Sequence, residues 1–312
     1  MPIPIFANSH GLFRLCLLAC CLLAFLFQPG ITSTARAAES DPAAPKSVPV
    51  GAITVTVLQD RANEMDVSLF SGPATPEERQ KYMPGGKAPA SVNAFLIQSG
   101  GKNILVDAGF GTIIPGAPQL EKHLSAVGLS PADIDIVLLT HLHTDHVGGL
   151  LKHKKRAFPK AKVMVSKPEL EYWTDLAEKD PANANAALVK TVVAEYGPDV
   201  LPPFALGAAV LPGVVSVDAS GHTPGHSAFL VESDGKSLLI VGDLVHAAAL
   251  QFPLPDECAS YDMDAPAAVK ARKAVLAMAA EKNIPVAGMH IPYPGMGRVK
   301  AEDKGFVFTP LP

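Results

Sequence analysis

The chain has 312 residues, of which 48% are apolar, 18% charged and 6% aromatic, a composition that suits a globular protein with a sizeable core. Lysine plus arginine number 26 against 30 for aspartate plus glutamate, with no run of like charges. The basic face of a nucleic-acid-binding protein is therefore not expected. The apolar stretches are too short and interrupted for a polytopic membrane protein, since a spanning helix needs about 20 apolar residues.

At the N-terminus, Arg14 precedes a thirteen-residue apolar block, Leu15 to Phe27, closed by Gln28-Pro29-Gly30 and followed by Ala35-Arg36-Ala37. That block falls short of a span and leads to a small-x-small cleavage site, so residues 1–37 read as a secretory signal peptide. Lipid attachment at Cys20 fits less well, because the apolar block continues past it. Cleavage near Ala38 leaves 24 basic and 30 acidic groups and a single cysteine, Cys258. The mature chain is expected in the periplasm or outside the cell, without disulfides and without stable membrane association.

Residues 38–50 (AESDPAAPKSVPV) lack periodicity and read as a Pro/Ala-rich solvated arm, with one folded domain over 51–312. Val55 to Leu58 suggest a strand. Val92 to Val106 hold two β-rich runs joined by Ser99-Gly100-Gly101-Lys102, and Ala228 to Val241 repeat that pattern around Ser233-Asp234-Gly235-Lys236. At an offset of 134 residues the two hairpins share Ala94/Ala228, Phe95/Phe229, Leu96/Leu230, Ser99/Ser233, Gly101/Gly235, Lys102/Lys236 and Leu105/Leu239. We read this as an internal duplication. Helical segments are expected at Leu120 to Val127, Lys167 to Ala177, Ala184 to Glu195 and Ala265 to Glu281. Two β-rich halves with helices outside predict an α/β fold, an αββα sandwich with an internal pseudo-twofold repeat.

The strongest local signal follows the apolar run Ile134 to Leu139, where Thr140 leads into His141-Leu142-His143-Thr144-Asp145-His146. In an extended loop, residues two apart point the same way, so His141 and His143 can grip one ion while Asp145 and His146 face a second position. Further metal-competent side chains end other apolar runs: His222 within Gly221-His222-Thr223-Pro224-Gly225-His226, Asp243 after the second hairpin, and His290 after Ile284 to Ala287. Of the other histidines, His123 and His153 read as solvated and His226 as bonded to backbone. His246 reads as an outer partner or a pocket residue.

Taken together, Asp107, His141/His143/Asp145/His146, His222, Asp243 and His290 resemble the metallo-β-lactamase superfamily, whose pattern they match in order. The resemblance implies the αββα fold with two divalent metal ions between the sheets, one held by His141, His143 and His222 and the other by Asp145, His146 and His290, with Asp243 bridging. It assigns Asp107 to bracing the metal loop. Zinc is the expected ion, and the mixed donors also suit Mn, Fe or Co. Paired ions present hydroxide near neutral pH and polarise C=O or P=O, so hydrolysis is the expected chemistry, with Asp145 and Asp243 as proton carriers.

Within the superfamily, Asp243 sets the chain apart from true β-lactamases, the 22 residues after His290 from glyoxalase II, and the intact His143 from flavo-diiron proteins. The tail from His290-Ile291-Pro292-Tyr293-Pro294-Gly295 to Pro310 is similar to the exported methyl parathion hydrolase and lactonase group. That likeness implies turnover of small neutral esters: lactones, aryl esters and phosphotriesters such as methyl parathion. N-acyl-homoserine lactone cleavage is an alternative main activity, and a non-catalytic periplasmic zinc-binding protein is an alternative of another class. Phe110, Ile113, Ile114, Phe252 and Trp173 are the candidate apolar wall, Trp173 fitting a core stripe equally well. The sequence leaves a homodimer open.

Overall fold

Each half of the chain builds one sheet. The computed structural model describes residues 44–114 and 119–312, so the expected signal peptide, residues 1–37, lies outside the described residues. Sheet one runs in chain order through β1 (Lys46–Val50), β2 (Ile53–Asp66), β3 (Lys87–Ser99), β4 (Lys102–Val106), β5 (Ile136–Leu138) and β6 (Lys162–Met164). Sheet two does the same with β7 (Ala209–Leu211), β8 (Val214–Asp218), β9 (Ser227–Ser233), β10 (Lys236–Ile240), β11 (Val286–Ala287), β12 (Met296–Glu302) and β13 (Gly305–Pro310).

The two predicted hairpins are β3–β4 and β9–β10, and their registers coincide. Phe95 faces Val106 and Ser99 faces Lys102 in the first; Phe229 faces Ile240 and Ser233 faces Lys236 in the second. Each hairpin is preceded by an antiparallel strand and followed by a parallel one, β5 or β11. The repeat is thus carried by topology and register as well as by residue identities.

Strand alternation sorts the core into layers, since successive side chains face opposite sides. Phe95, Ile97, Ile104 and Val106 face Phe229, Val231, Leu238 and Ile240 between the sheets. The intervening Ala94, Leu96 and Leu105 turn outward under α4 (Lys167–Lys179) and α5 (Ala184–Tyr196), with Trp173, Val189 and Tyr196. Ala228, Leu239 and Val241 turn outward under α7 (Ala265–Glu281), against Val275, Leu276 and Ala279. This order is the predicted αββα sandwich, and both faces of each hairpin are buried, which explains why they read as continuous apolar runs.

Three expectations need correction. Lys46–Val50 is no solvated arm but the edge strand β1, with Pro49 opposite Thr54; an edge position tolerates the missing N–H of proline. Strand β2 runs on to Asp66, past the polar residues after Leu58, through a register shift between Gln59 and Arg61. His123 is buried at 3% exposure, because it shares one face of the helix Leu120–Ala126 with the buried Leu120 and Leu124. His153 is exposed, as expected. Among the described residues, no helix is long and apolar enough to cross a membrane.

Candidate metal centre

Four strands of the parallel cores, β4, β5, β10 and β11, deliver metal-competent side chains from their C-terminal ends: Asp107, the loop His141 to His146, Asp243 and His290. His222 arrives from the loop between β8 and β9. Tight backbone turns set these side chains. Asp107 adopts a left-handed φ of 60°, and Gly242, at φ 57°, leads into Asp243. A Cβ on Gly242 would lie 2.3 Å from His226 Nε2, so no other residue fits beside that ring.

Two groups of donors converge. His141 Nε2 lies 3.1 Å from His143 Nδ1, which lies 2.9 Å from His222 Nε2. In the second group His290 Nε2 lies 3.3 Å from Asp145 Oδ2, and His146 Nε2 lies 3.5 Å from the same oxygen. Asp243 Oδ2 stands between them, 3.7 Å from His141, 3.4 Å from His222, 3.3 Å from His146 and 2.9 Å from His290.

Outer hydrogen bonds determine which ring nitrogen faces inward. His146 Nδ1–H donates to Asp107 Oδ2 at 2.7 Å, His222 Nδ1–H to Asp262 Oδ1 at 2.9 Å, and His290 Nδ1–H to the Ser91 carbonyl at 2.8 Å. Thr140 Oγ1 donates to Asp107 and can accept from His141 Nδ1–H at 3.0 Å. These bonds turn each Nε2 toward the interior, the arrangement that orients metal-binding imidazoles. His226 differs: Nδ1–H donates to the Ala219 carbonyl and Nε2 accepts from the Asp243 amide, so both nitrogens are used and its expected backbone role is what the structure has.

The electrostatics divide along the same line. Burial presses His143 down to about 4 and His222 to about 3, and His141 well below its ordinary value. Burial opposes charge on His290 and His146 as well, but Asp243 and Asp145 outweigh it, lifting His290 to about 9 and His146 well above the usual range. The donor set fits divalent cations. Lone-pair nitrogens about 3 Å apart repel unless a cation sits between them, and His146 Nε2 and Asp243 Oδ1 are buried without a protein partner.

A cavity of about 490 Å³ opens onto these groups. Its apolar wall is Met65, Leu69, Val92, Phe110 and Tyr261, and no lysine or arginine lines it among the described residues. Phe110 is the one predicted wall residue found there. Ile113 is 45% exposed, and neither it nor Ile114 lines the cavity. Phe252 is buried in the core, stacked on Phe308 at 4.7 Å. Trp173 belongs to the core beneath the site, its ring edge-on to His143 at 5.6 Å. His246 does line the cavity, stacked on His290 at 5.2 Å, its Nε2 3.4 Å from Asp243 Oδ2 and neither ring nitrogen hydrogen-bonded, so that with His222 and Asp243 it forms a third set of donors within reach of one cation.

Sequence reasoning missed Asp262, Asp60 and the real wall. Asp60 accepts from the amides of Phe110, Gln119 and Leu120, tying Phe110 to the start of the helix Leu120–Ala126. Asp60 carries no distinct sequence signal, because it sits within the polar run Gln59 to Asn63.

A family model for the metallo-β-lactamase superfamily matches residues 88–283, more than half of the chain and nearly all of the donors just described. The chain belongs to the metallo-β-lactamase superfamily. Among solved structures it is similar to the hydrolase AbOPH of the beta lactamase superfamily, at 30% identity, TM-score 0.78, covering 87% of this chain and 98% of that one. It is also similar to AidC, a dizinc quorum-quenching lactonase, at 26% identity and TM-score 0.77, covering 86% and 98%. Curated relatives include a Thermus thermophilus ribonuclease, 28% identical over 51% of this chain and 36% of its own length. An N-acyl homoserine lactonase from Bacillus cereus is 26% identical over 51% and 65%. The chain thus spans less than two thirds of either curated relative.

Proposed function

We propose that this chain is an exported, metal-dependent hydrolase of neutral, lipophilic esters, with lactones foremost and aryl esters and phosphotriesters within its range. In this reading His141, His143 and His222 hold one divalent cation, zinc in the first instance, Asp145, His146 and His290 a second, and Asp243 both. The observation that carries it is the position of Asp243 Oδ2, within 3.7 Å of imidazoles from both groups, in a cavity lined by apolar residues and no lysine or arginine among those described. The likeness to AidC and to the Bacillus cereus lactonase supports lactones, and the tail after His290 supports the aryl ester and phosphotriester range.

Such cations lower the pKa of bound water and polarise the ester oxygen. The chain's own residues do the rest. Met65, Leu69, Val92 and Phe110 desolvate the alkyl or aryl part of the substrate, and a neutral substrate needs no guanidinium to balance its charge. Asp145, 19% exposed at the cavity floor, can accept a proton and return it to the leaving oxygen.

A hydrolysis panel of lactones, aryl esters, phosphotriesters, phosphodiesters and S-lactoylglutathione, with elemental analysis of the same sample, tests this reading. Neutral substrates should turn over fastest on chains carrying two ions. A best substrate that is anionic would refute it, and bound zinc without any turnover would favour a zinc-binding protein. Export is checked separately, by N-terminal sequencing of mature protein, which should begin within two residues of Ala38.

A further inference from the structure

Glu169 is fully buried in the first turn of α4, outside the group of residues that can reach a cation. Its two oxygens divide their work. Oε1 accepts from the Leu142 amide at 2.9 Å and from Trp173 Nε1–H at 2.7 Å; Oε2 accepts from Thr223 Oγ1 at 2.7 Å and from the Gly225 amide at 2.9 Å. Leu142 lies between His141 and His143, and Thr223 follows His222 directly. One carboxylate therefore grips a ligand loop from each half of the molecule, one oxygen per loop. Four donors and no acceptor around it match an ionised carboxylate, and such charge-assisted bonds are about twice as strong as neutral ones.

The contact is crowded on both sides. A Cβ on Gly225 would lie 2.2 Å from the Glu169 amide, so the His222 turn can approach α4 this closely only through glycine. Across the seam, His143 Nδ1 and His222 Nε2 come within 2.9 Å. Trp173, one turn along α4, completes the brace: its indole N–H is held by Glu169 while its ring sets the edge of His143. By contrast, no hydrogen bond links Glu169 to Asp145, His146 or His290.

The structure assigns to Glu169 the role of positioning residue for the three-histidine site, spacing His141 and His143 against His222, with Trp173 as its built-in reporter. The assignment rests on the cation reading above. Trp173 is the chain's only tryptophan, so its emission reads this site and nothing else.

The test is a titration of metal-stripped, full-length protein with Co2+ and Zn2+, following Trp173 emission and competition with a chromophoric chelator. Co2+ quenches indole emission at short range, so filling of the three-histidine site should quench Trp173. In Glu169→Gln, which keeps the volume but turns an N–H2 toward two donors, one of the two affinities should fall about 10- to 100-fold, the range for an outer partner of a ligand. That loss should appear in the quenching step, with the second affinity within about threefold of wild type. Trp173→Phe should lose the optical signal, the control that ties the quenching step to this residue. Two results would overturn the assignment: Glu169→Gln loading like wild type, or both affinities falling together with the thermal midpoint, the mark of a general packing defect. Wild-type protein that binds neither ion would sink the cation reading itself, and this assignment with it.

Discussion

The two donor groups lie side by side and share Asp243, yet they are built on opposite electrostatic plans. His141, His143 and His222 form an all-imidazole group whose members are held neutral by burial. Asp145, His146 and His290 form a mixed group whose carboxylates outweigh burial and draw protons onto the imidazoles. A cation entering the first group meets lone pairs already free. One entering the second must displace protons that the carboxylates hold.

The harshest way to break the contrast is to remove what the groups share. Asp243→Ala should reduce elemental content to one ion or fewer per chain and lower ester turnover by more than about a hundredfold, beyond what loss of an outer partner costs. Two full ions in that variant would show that the bridge is misassigned.

A milder intervention is to titrate. His290 holds its proton up to about 9 and His146 is lifted well above the usual range, so affinity of the mixed group should rise with pH through neutrality, by up to about tenfold per unit for each proton displaced. His143 and His222 lose theirs near 4 and 3, so the all-imidazole group should be flat above about pH 5. Calorimetry of Zn2+ uptake at pH 7 in two buffers of different ionisation enthalpy should find proton release with one ion only. Equal release with both would erase the distinction.

Next in size, His226→Ala should leave the metal count unchanged, since both its nitrogens serve backbone. It strands the Asp243 amide and should cost about 1–3 kcal/mol in urea unfolding, the usual penalty for an orphaned buried donor. The smallest effect belongs to the cavity rim. Phe110→Ala should raise KM for bulky aryl esters roughly tenfold through about 1.5 kcal/mol of lost apolar contact, while Ile113→Ala should change kcat/KM by less than about twofold.

What the sequence made legible follows from the range of the interactions. His141 to His146 announce themselves because an extended loop turns spacing directly into direction, and the hairpins because Phe95 and Phe229 sit at the same register with both faces buried. Asp262 and Glu169 are silent, being joined to His222 and Thr223 only when the chain folds back over separations of 40 and 54 positions. The cavity wall is not legible because Met65 and Leu69 follow a polar stretch, Gln59 to Asn63, that looks like the end of a strand. Asp60, within that stretch, turns toward the amides of Phe110 and Leu120 instead of toward solvent. Lys46–Val50 reads as an arm because its proline and the Ala/Pro-rich residues before it break any periodicity, whereas an edge strand accommodates that proline equally well.

The division of donors between the halves has a mechanical side. Asp107 and His141 to His146 come from sheet one; His222, Asp243 and His290 come with sheet two. The described residues contain one cysteine, which is free, so no covalent crosslink joins the halves there. Any ion ligated from both sides acts as a rivet across the sandwich, closing the long loop between His146 and His222 much as a disulfide would. Chelation would then loosen the joint between two sheets as well as stop the chemistry, and resistance to heat or proteases would track metal supply.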